Sequence, residues 1–187
     1  MKNVTLCGML LAFLSTSLWS QAIIGTATDP NTGHVYHLVD FHTTYSWTSA
    51  KDYCENQTMS INGQTVSGHL ATITSAAENN FLKNNLYSSN QGDDIYIGFN
   101  DDDTEGVYVW ENGEGSFSTP CESGGAGTTP AGTFTDWQSG KPDNFPAPCP
   151  GDQANDQDYG GLRWTVSEYQ WNDVDNSATR YAVCEFS

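Results

Sequence analysis

The C-terminal segment is the most informative part of the chain, and its residues 170–186 read QWNDVDNSATRYAVCEF. Its second half, Tyr181–Phe186, is rich in apolar and β-prone residues and predicts a strand that closes the chain. Its first half places Asn172 and Asp173 directly after Trp171. The segment therefore predicts two oxygen-bearing side chains just before a final strand.

A second polar stretch lies upstream, where residues 134–145 read FTDWQSGKPDNF. Carboxylates and carboxamides stand there beside turn-forming residues, with no Cys or His grouped among them. Oxygen ligands without soft ones suit Ca²⁺, which accepts flexible coordination geometry. A cis bond before Pro142 would turn Lys141 and Asp143 the same way. The stretch therefore predicts a calcium site.

Helix and strand signals are unevenly distributed along the chain. Trp47, Ala50 and Cys54 have the three- and four-residue spacing of a helix face, with Thr44 or Ser46 as N-cap. Ser75 and Glu78 have the spacing of a capping box for a second helix, in which each side chain would satisfy an amide. The remaining signals are a hairpin at 23–40, strands at 95–99 and 107–110, and a long irregular region at about 111–170. We predict an α+β fold with two helices packed on antiparallel sheets.

The N-terminal segment has the features of a secretory signal peptide. A short positive start and an apolar run to Leu14 precede small residues at Ser20 and Ala22. We predict a signal peptide at 1–22, cleaved after Ala22 or alternatively after Ser20, and a single secreted domain at 23–187. Cleavage removes one of five cysteines, and the even number that is left favours two disulfides. No later stretch is long and apolar enough to insert in a membrane.

The composition excludes several classes of protein. The chain has 187 residues, 23 Asp and Glu against 6 Lys and Arg, and a formal net charge of -17. This acidic balance argues against a nucleic-acid binder and against a protein that docks on an anionic membrane, because both need a basic surface. No nucleophile elbow, P-loop or metalloprotease motif is present, so we predict that the chain is not an enzyme.

Several polar residues are interpreted as structural. Asp101–Asp103 lack the Gly and Glu spacing of a calcium loop and predict a solvated turn. The four histidines, His34, His37, His42 and His69, are scattered and predict no zinc site. Asn56 begins a glycosylation sequon, which matters only in a eukaryotic source.

Six motifs in order resemble the C-type lectin-like domain family, over nearly the whole mature chain. They are Trp47–Cys54, Gly68–Ile73 with Ser75 and Glu78, Tyr96–Phe99, Val109–Trp110, Trp171–Asp173 and Tyr181–Glu185. The resemblance implies a disulfide between Cys54 and Cys184. The family's second disulfide is absent, since Tyr159 and Asn176 occupy its positions. Cys121 and Cys149 would then form a separate bridge inside the long loop.

The resemblance also implies a binding site. Its calcium ligands would be Asp143, Gln157, Asn172 and Asp173, with Asp158 or the loop carboxylates Asp152 and Asp156 as substitutes. Its ligand-contacting residues would be Lys141, Asp143, Asn144, Phe145, Gln157, Asn172 and Asp173. The Asp after the Pro resembles galactose-type rather than mannose-type members, and Phe145 would stack on the sugar ring. The expected function is a secreted, calcium-dependent lectin for extracellular glycans, and its oligomeric state does not follow from the sequence.

Lys141 departs from the family pattern. It stands where a neutral or acidic ligand is expected, and a charged ammonium has no lone pair for Ca²⁺. Alternatively, the ammonium occupies the cation's place between Asp143 and Asp173. The domain would then be a metal-independent module for a protein or another surface, with ice as a minor alternative.

Overall fold

A computed structural model describes residues 21–87, 94–118, 121–122, 125–126, 132–144, 157–165, 168–177 and 179–187. The predicted signal peptide, apart from Gln21 and Ala22, lies outside these residues. So do Phe145, Cys149, Asp152 and Asp156, and with them the predicted Cys121–Cys149 bridge. No helix among the described residues is long and apolar enough to cross a bilayer.

Two helices and thirteen strands form the described part of the chain. In chain order they are β1 (Ala22–Thr28), β2 (Val35–Tyr45), α1 (Trp47–Glu55), β3 (Thr58–Ile61), β4 (Gln64–Ser67), β5 (His69–Leu70), α2 (Ala76–Asn85), β6 (Ile95–Asn100), β7 (Val107–Trp110), β8 (Ser116–Ser118), β9 (Cys121–Glu122), β10 (Gly125–Ala126), β11 (Tyr159–Thr165), β12 (Glu168–Val174) and β13 (Thr179–Phe186). The predicted α+β class with two helices is confirmed. Strands β11 and part of β12 fall inside the range that the sequence assigned to an irregular region.

The main sheet is mixed rather than purely antiparallel. Its strand order is β1-β2-β13-β6-β11-β12, with β5 paired to β13 and β7 linking β6 to β8. Strands β13 and β6 are parallel, whereas the other pairs in the sheet are antiparallel. The final strand is therefore central and almost fully buried along its length.

The first helix begins at the predicted cap. Ser46 Oγ accepts a hydrogen bond from the Ser49 amide at 3.0 Å, which settles the choice between Thr44 and Ser46. The predicted face of Trp47, Ala50 and Cys54 is buried. Cys54 is bonded to Cys184 of β13, as the resemblance implied.

The second helix differs from the expected capping box in one contact. Ser75 Oγ accepts a hydrogen bond from the Glu78 amide at 3.2 Å, as predicted. Glu78 Oε2, however, accepts from the Thr74 amide at 3.0 Å rather than from Ser75, and Oε1 accepts from the Tyr36 hydroxyl at 2.7 Å. The reciprocal contact moves because β2 supplies a buried hydroxyl that the local sequence does not reveal.

The core around Phe99 is aromatic. The Phe99 ring lies 5.3–5.5 Å from each of the rings of Tyr108, Trp110, Phe117, Trp137 and Trp171. Edge-to-face contacts of this kind stabilise a core beyond its area burial alone. Trp137 and Trp171 join this cluster to the polar segments described next.

Candidate functional site

The polar segment that contains Lys141 is anchored to β12 and α2. The Gln138 amide donates to Trp171 O at 2.8 Å, and the Trp171 amide donates to Asp136 O at 2.7 Å. The Asp136 side chain accepts from Asn79 Nδ2 at 2.7 Å and pairs with Lys83. These contacts place residues 136–141 beside Trp171–Asp173 of β12.

Lys141 lies between the two carboxylates that the sequence singled out. Its Nζ is 2.6 Å from Asp143 Oδ1 and 3.7 Å from Asp173 Oδ1. The Lys141–Pro142 peptide bond is cis, which agrees with the arrangement considered from the sequence. The Lys141 side chain is 13% exposed, so most of it is buried within the site.

Asp173 fixes the backbone of the same loop. Its Oδ2 accepts from the Asp143 amide at 2.7 Å and from the Asn144 amide at 2.5 Å. The side chain is fully buried, and burial raises the pKa of its carboxyl despite the opposing effects of the Asn144 amide and Lys141. Asp173 therefore shapes the loop through one oxygen and faces Lys141 with the other.

Asn144 connects this loop to two other segments. It is 1% exposed, its Nδ2 donates to Glu105 Oε2 at 2.7 Å, and its Oδ1 accepts from the Gln157 amide at 3.0 Å. Glu105 belongs to the acidic turn after β6 and was not among the predicted site residues. The only sequence signal for it was the density of carboxylates in that turn.

The predicted site residues divide by exposure. Asn144, Asn172 and Asp173 are buried, whereas Lys141, Asp143, Gln157 and Asp158 reach the surface. Asn172 Oδ1 and Asp173 Oδ1 are buried without a hydrogen-bond partner in the described structure. Among the described residues, the Asn172 side chain has no hydrogen bond or ion pair with Lys141, Asp143 or Asp173, so only its position next to Asp173 in the sequence links it to them. Phe145 lies outside the described residues.

The side chains around Lys141 offer only part of what Ca²⁺ requires. Ca²⁺ takes about six to eight oxygens at roughly 2.3–2.6 Å. Two unpartnered oxygens, Asn172 Oδ1 and Asp173 Oδ1, have the right chemistry for it. The ammonium of Lys141, however, lies 2.6 Å from Asp143 Oδ1 and 3.7 Å from Asp173 Oδ1, so an ion shared by these carboxylates would lie next to a like charge. The donor set therefore does not fit Ca²⁺ while the charged Lys141 side chain keeps this position.

Comparison with known proteins points to one family. A model of the family described as "Lectin C-type domain" matches residues 43–186, which is more than half of the chain. Lectin BRA-3 of Megabalanus rosa is 32% identical over 63% of the chain, and the match covers 54% of that protein. The chain thus spans about half the length of this relative. The alpha-N-acetylgalactosamine-specific lectin of Patiria pectinifera is 29% identical over 79% of the chain and 71% of its own length.

Solved structures agree with these relatives. The C-type lectin CEL-I from Cucumaria echinata superposes with a TM-score of 0.60 at 25% identity, over 90% of this chain and 99% of that one. Human lithostathine, at 17% identity and a TM-score of 0.58, shares the fold over 96% of this chain and 99% of its own.

Proposed function

The chain belongs to the C-type lectin domain family, whose members are carbohydrate-binding modules rather than enzymes, and from this premise we propose a metal-free mode of sugar binding. In this proposal the domain is secreted and binds extracellular glycans at a surface formed by Lys141, Asp143, Gln157 and Asp158. The Lys141 ammonium takes the place that a calcium ion would have. The observation that carries the proposal is the position of Lys141 Nζ between Asp143 and Asp173.

Electrostatics favours the ammonium over an added ion. At about 4 Å and an effective dielectric constant of roughly 20, a unit charge and a divalent ion repel by about 8 kcal/mol, twice the value for two unit charges. Lys141 already neutralises the half-buried Asp143 and faces the buried Asp173 without this penalty. Calcium-dependent sugar binding stays a prediction from the sequence. We propose that Ca²⁺ can bind at this site only when the charge of Lys141 is removed.

Sugar hydroxyls would meet both a donor and an acceptor on this surface. The Asp143 side chain is 38% exposed and accepts hydrogen bonds, while Lys141 donates them. The Asp after Pro142 and the galactosamine-type specificity in the name of the Patiria pectinifera relative both support a galactose-type ligand. Phe145 is proposed to stack on the ring. Affinity at one site should be weak, because hydroxyls replace bound water for little gain, and avidity would come from multivalent ligands.

The test is isothermal titration of the protein in metal-free buffer with galactose and mannose, before and after calcium chloride. We expect the wild type to bind galactose more tightly than mannose without calcium, and to give no calcium heat from this site. The Lys141→Gln variant should bind galactose at least tenfold more weakly without calcium, and recover on calcium addition because Asp143 and Asp173 gain a vacant cation position.

Lys51→Gln is the matched control, since Lys51 pairs with Glu55 and Glu111 away from Pro142. It should behave like the wild type throughout. Galactose binding by the wild type that appears only with calcium would contradict the proposal and support the calcium-dependent prediction. An absence of sugar binding under all conditions would overturn carbohydrate recognition at this surface.

A further inference from the structure

Strand β1 forms an edge of the main sheet, and among the described residues β2 alone pairs with it. The far edge of the sheet is covered, because Trp171 of β12 hydrogen-bonds to the backbone of Asp136 and Gln138. Strand β8, at the end of the side branch, has three residues, whereas β1 has seven. β1 therefore presents a longer row of outward-facing backbone groups than β8 does.

The sequence of β1 lacks the residues that usually keep sheet edges apart. Native edge strands commonly carry charged side chains, Lys above all, or Pro. Residues 22–28 read AIIGTAT and contain neither. The chain as a whole has a formal net charge of -17, so two copies repel each other in most orientations. This repulsion is weakest where the uncharged strand of one copy meets the uncharged strand of another.

A bulge in β1 exposes two consecutive isoleucines. The register with β2 shifts between Ile23 and Gly25, so Ile24 is an extra residue in the strand. Gly25 faces Leu86, since a Cβ there would lie 3.3 Å from the Leu86 side chain, and Ala27 packs against the core. The exposed fractions of Ile23 and Ile24 are 53% and 48%, whereas regular alternation would turn one of the two inward.

Exposed apolar side chains are concentrated on this strand. Ile23, Ile24 and Val107 are the strongly exposed large hydrophobic residues of the described chain, and two of the three are adjacent in β1. Thr26 and Thr28 are exposed as well, so the outer face of the strand consists of β-branched side chains. Such side chains favour strand pairing, and a cluster of exposed apolar groups is typical of a protein contact.

We propose that β1 pairs antiparallel with β1 of a second copy across a two-fold axis. Both copies then use the same surface, and the amides of each strand face the carbonyls of the other. A second copy fits this edge because its own β1 is equally uncharged and has the same β-branched face. The seven-residue edge is only about 24 Å long, so we expect a weak dimer with a Kd on the order of 10 μM.

The dimer would provide two sugar-binding surfaces, a consequence that rests on the function proposed above. Strands β1 and β12 lie at opposite ends of the strand order, and residues 136–141 lie beside β12. With strands spaced about 4.8 Å apart, the two surfaces would lie roughly 50 Å apart at the outer ends of a continuous sheet. Both surfaces stay open, so one dimer can bind two branches or two neighbouring glycans with increased avidity.

The experiment is sedimentation velocity of the secreted protein, without sugar or calcium, at concentrations from about 1 to 200 μM. We expect the wild type to change from monomer to dimer across this range. A double variant with Ile24→Lys and Thr26→Lys should stay monomeric, because like charges would face each other across the paired strands. Both side chains are exposed, so the variant should fold, and thermal unfolding checks this.

Val107→Lys is the matched control, since it places the same charge at an exposed apolar position of β7. It should dimerise like the wild type, which shows that the change in net charge does not itself prevent association. A wild type that stays monomeric at the highest concentration would overturn the proposal and leave β1 to a different partner. A dimer that persists in the double variant, or that is lost in Val107→Lys, would overturn it as well.

Hydrogen exchange of the wild type tests the same surface without any substitution. The amides of residues 22–28 should exchange more slowly at high protein concentration than at low concentration, and protection confined to another strand would overturn the proposal. The double variant should bind free galactose like the wild type but bind a galactose-coated surface at least roughly tenfold more weakly. If the wild type binds no sugar, the proposed function fails while the sedimentation result still decides the dimer.

Discussion

The Lys141 ammonium lies 2.6 Å from Asp143 Oδ1 and 3.7 Å from the buried Asp173 Oδ1, and this position changes the chemistry that the neighbouring residues can perform. Asp173 uses its other oxygen to hold the amides of Asp143 and Asn144. A residue that the resemblance implied as an ion ligand therefore acts here as a buried support for the loop. Lys141 and Asp143 are therefore the side chains of this group that a ligand can contact.

Asp101 is a second acidic residue whose environment differs from the sequence-based interpretation. It was expected in a solvated turn, but it is 3% exposed and accepts from the Gly106 amide at 2.8 Å. Burial raises the pKa of its carboxyl to about 8; the Gly106 amide opposes this rise, and Glu105 and Asp158 add to it by repulsion. The folded protein keeps this proton at pH values where the unfolded chain, with a pKa of about 3.9, has released it.

The free energy of unfolding should therefore fall as the pH rises from about 4 to about 8. The Asp101 contribution is full below pH about 4 and decreases by about 1.4 kcal/mol per pH unit above it. Asp101→Asn keeps an acceptor for Gly106 but has no proton to lose, so this part of the slope should vanish. Urea unfolding of both proteins across this range measures it. Asp103→Asn, at an exposed position, should retain the wild-type slope; equal slopes for Asp101→Asn and the wild type would refute the assignment.

Helix α1 is tied to the rest of the domain by residues that replace a disulfide. Tyr159 and Asn176 stand where the family resemblance implied a second bridge. The Tyr159 ring lies 4.9 Å from the Trp47 ring, and Asn176 O accepts from the Trp47 amide at 3.2 Å. Asn176 Oδ1 also accepts from the Thr48 amide at 3.2 Å. The helix N-terminus is therefore satisfied by both a local cap and a distant segment.

The local cap contributes a measurable share of stability. Ser46→Ala removes the hydroxyl that accepts from the Ser49 amide, and should lower the free energy of unfolding by about 1 kcal/mol. Thr44→Ala, two residues earlier at an exposed position of β2, is the matched control and should change it by less than about 0.5 kcal/mol. Chemical denaturation of the three proteins gives both values. A larger loss of stability in Thr44→Ala than in Ser46→Ala would show that Ser46 is not the N-cap of α1.

At the scale of the whole molecule, a disulfide and a close backbone contact join distant parts of the chain. Cys54 and Cys184 are separated by 130 residues and are both buried. Gly98 of β6 allows the backbone of residues 70–71 to approach, since a Cβ there would lie 2.6 Å from Leu70 O. Strand β13 is thus joined to α1 by a covalent link, and β6 closely approaches the backbone at the end of β5.

The disulfide should supply much of the stability of the domain. A loop of this length loses about 4–5 kcal/mol of unfolded-state entropy when it is closed, so a double Cys54→Ala and Cys184→Ala variant should be less stable by about 4 kcal/mol. Denaturant unfolding without reductant compares it with the wild type. Repeating the unfolding of the double variant with reductant then measures how much the remaining cysteines contribute to its stability. A loss below about 1 kcal/mol would contradict a stabilising role for this bridge.

Much of the architecture could be predicted from the sequence alone. The buried face of α1, the α2 start, the closing strand and the two-helix α+β class follow from local sequence signals, whereas the α1 cap was narrowed only to Thr44 or Ser46. The Glu78 contact to Thr74 and Tyr36, the mixed character of the sheet and the role of Glu105 could not be predicted. Each depends on a partner that lies far away in the chain.

The sequence by itself determined which residue types are available: Lys141 beside Pro142, Asp143 after it, and Asn172 and Asp173 before the last strand. Only the tertiary structure decided that the ammonium lies between two carboxylates, that Asp101 and Asp173 are buried, and that β1 lies at an edge of the sheet with Ile23 and Ile24 exposed. The physical reason is that helix caps and strand propensity depend on near neighbours. Ion pairing, pKa and the exposure of a sheet edge depend on burial and on distances of a few ångströms between residues that the fold alone brings together.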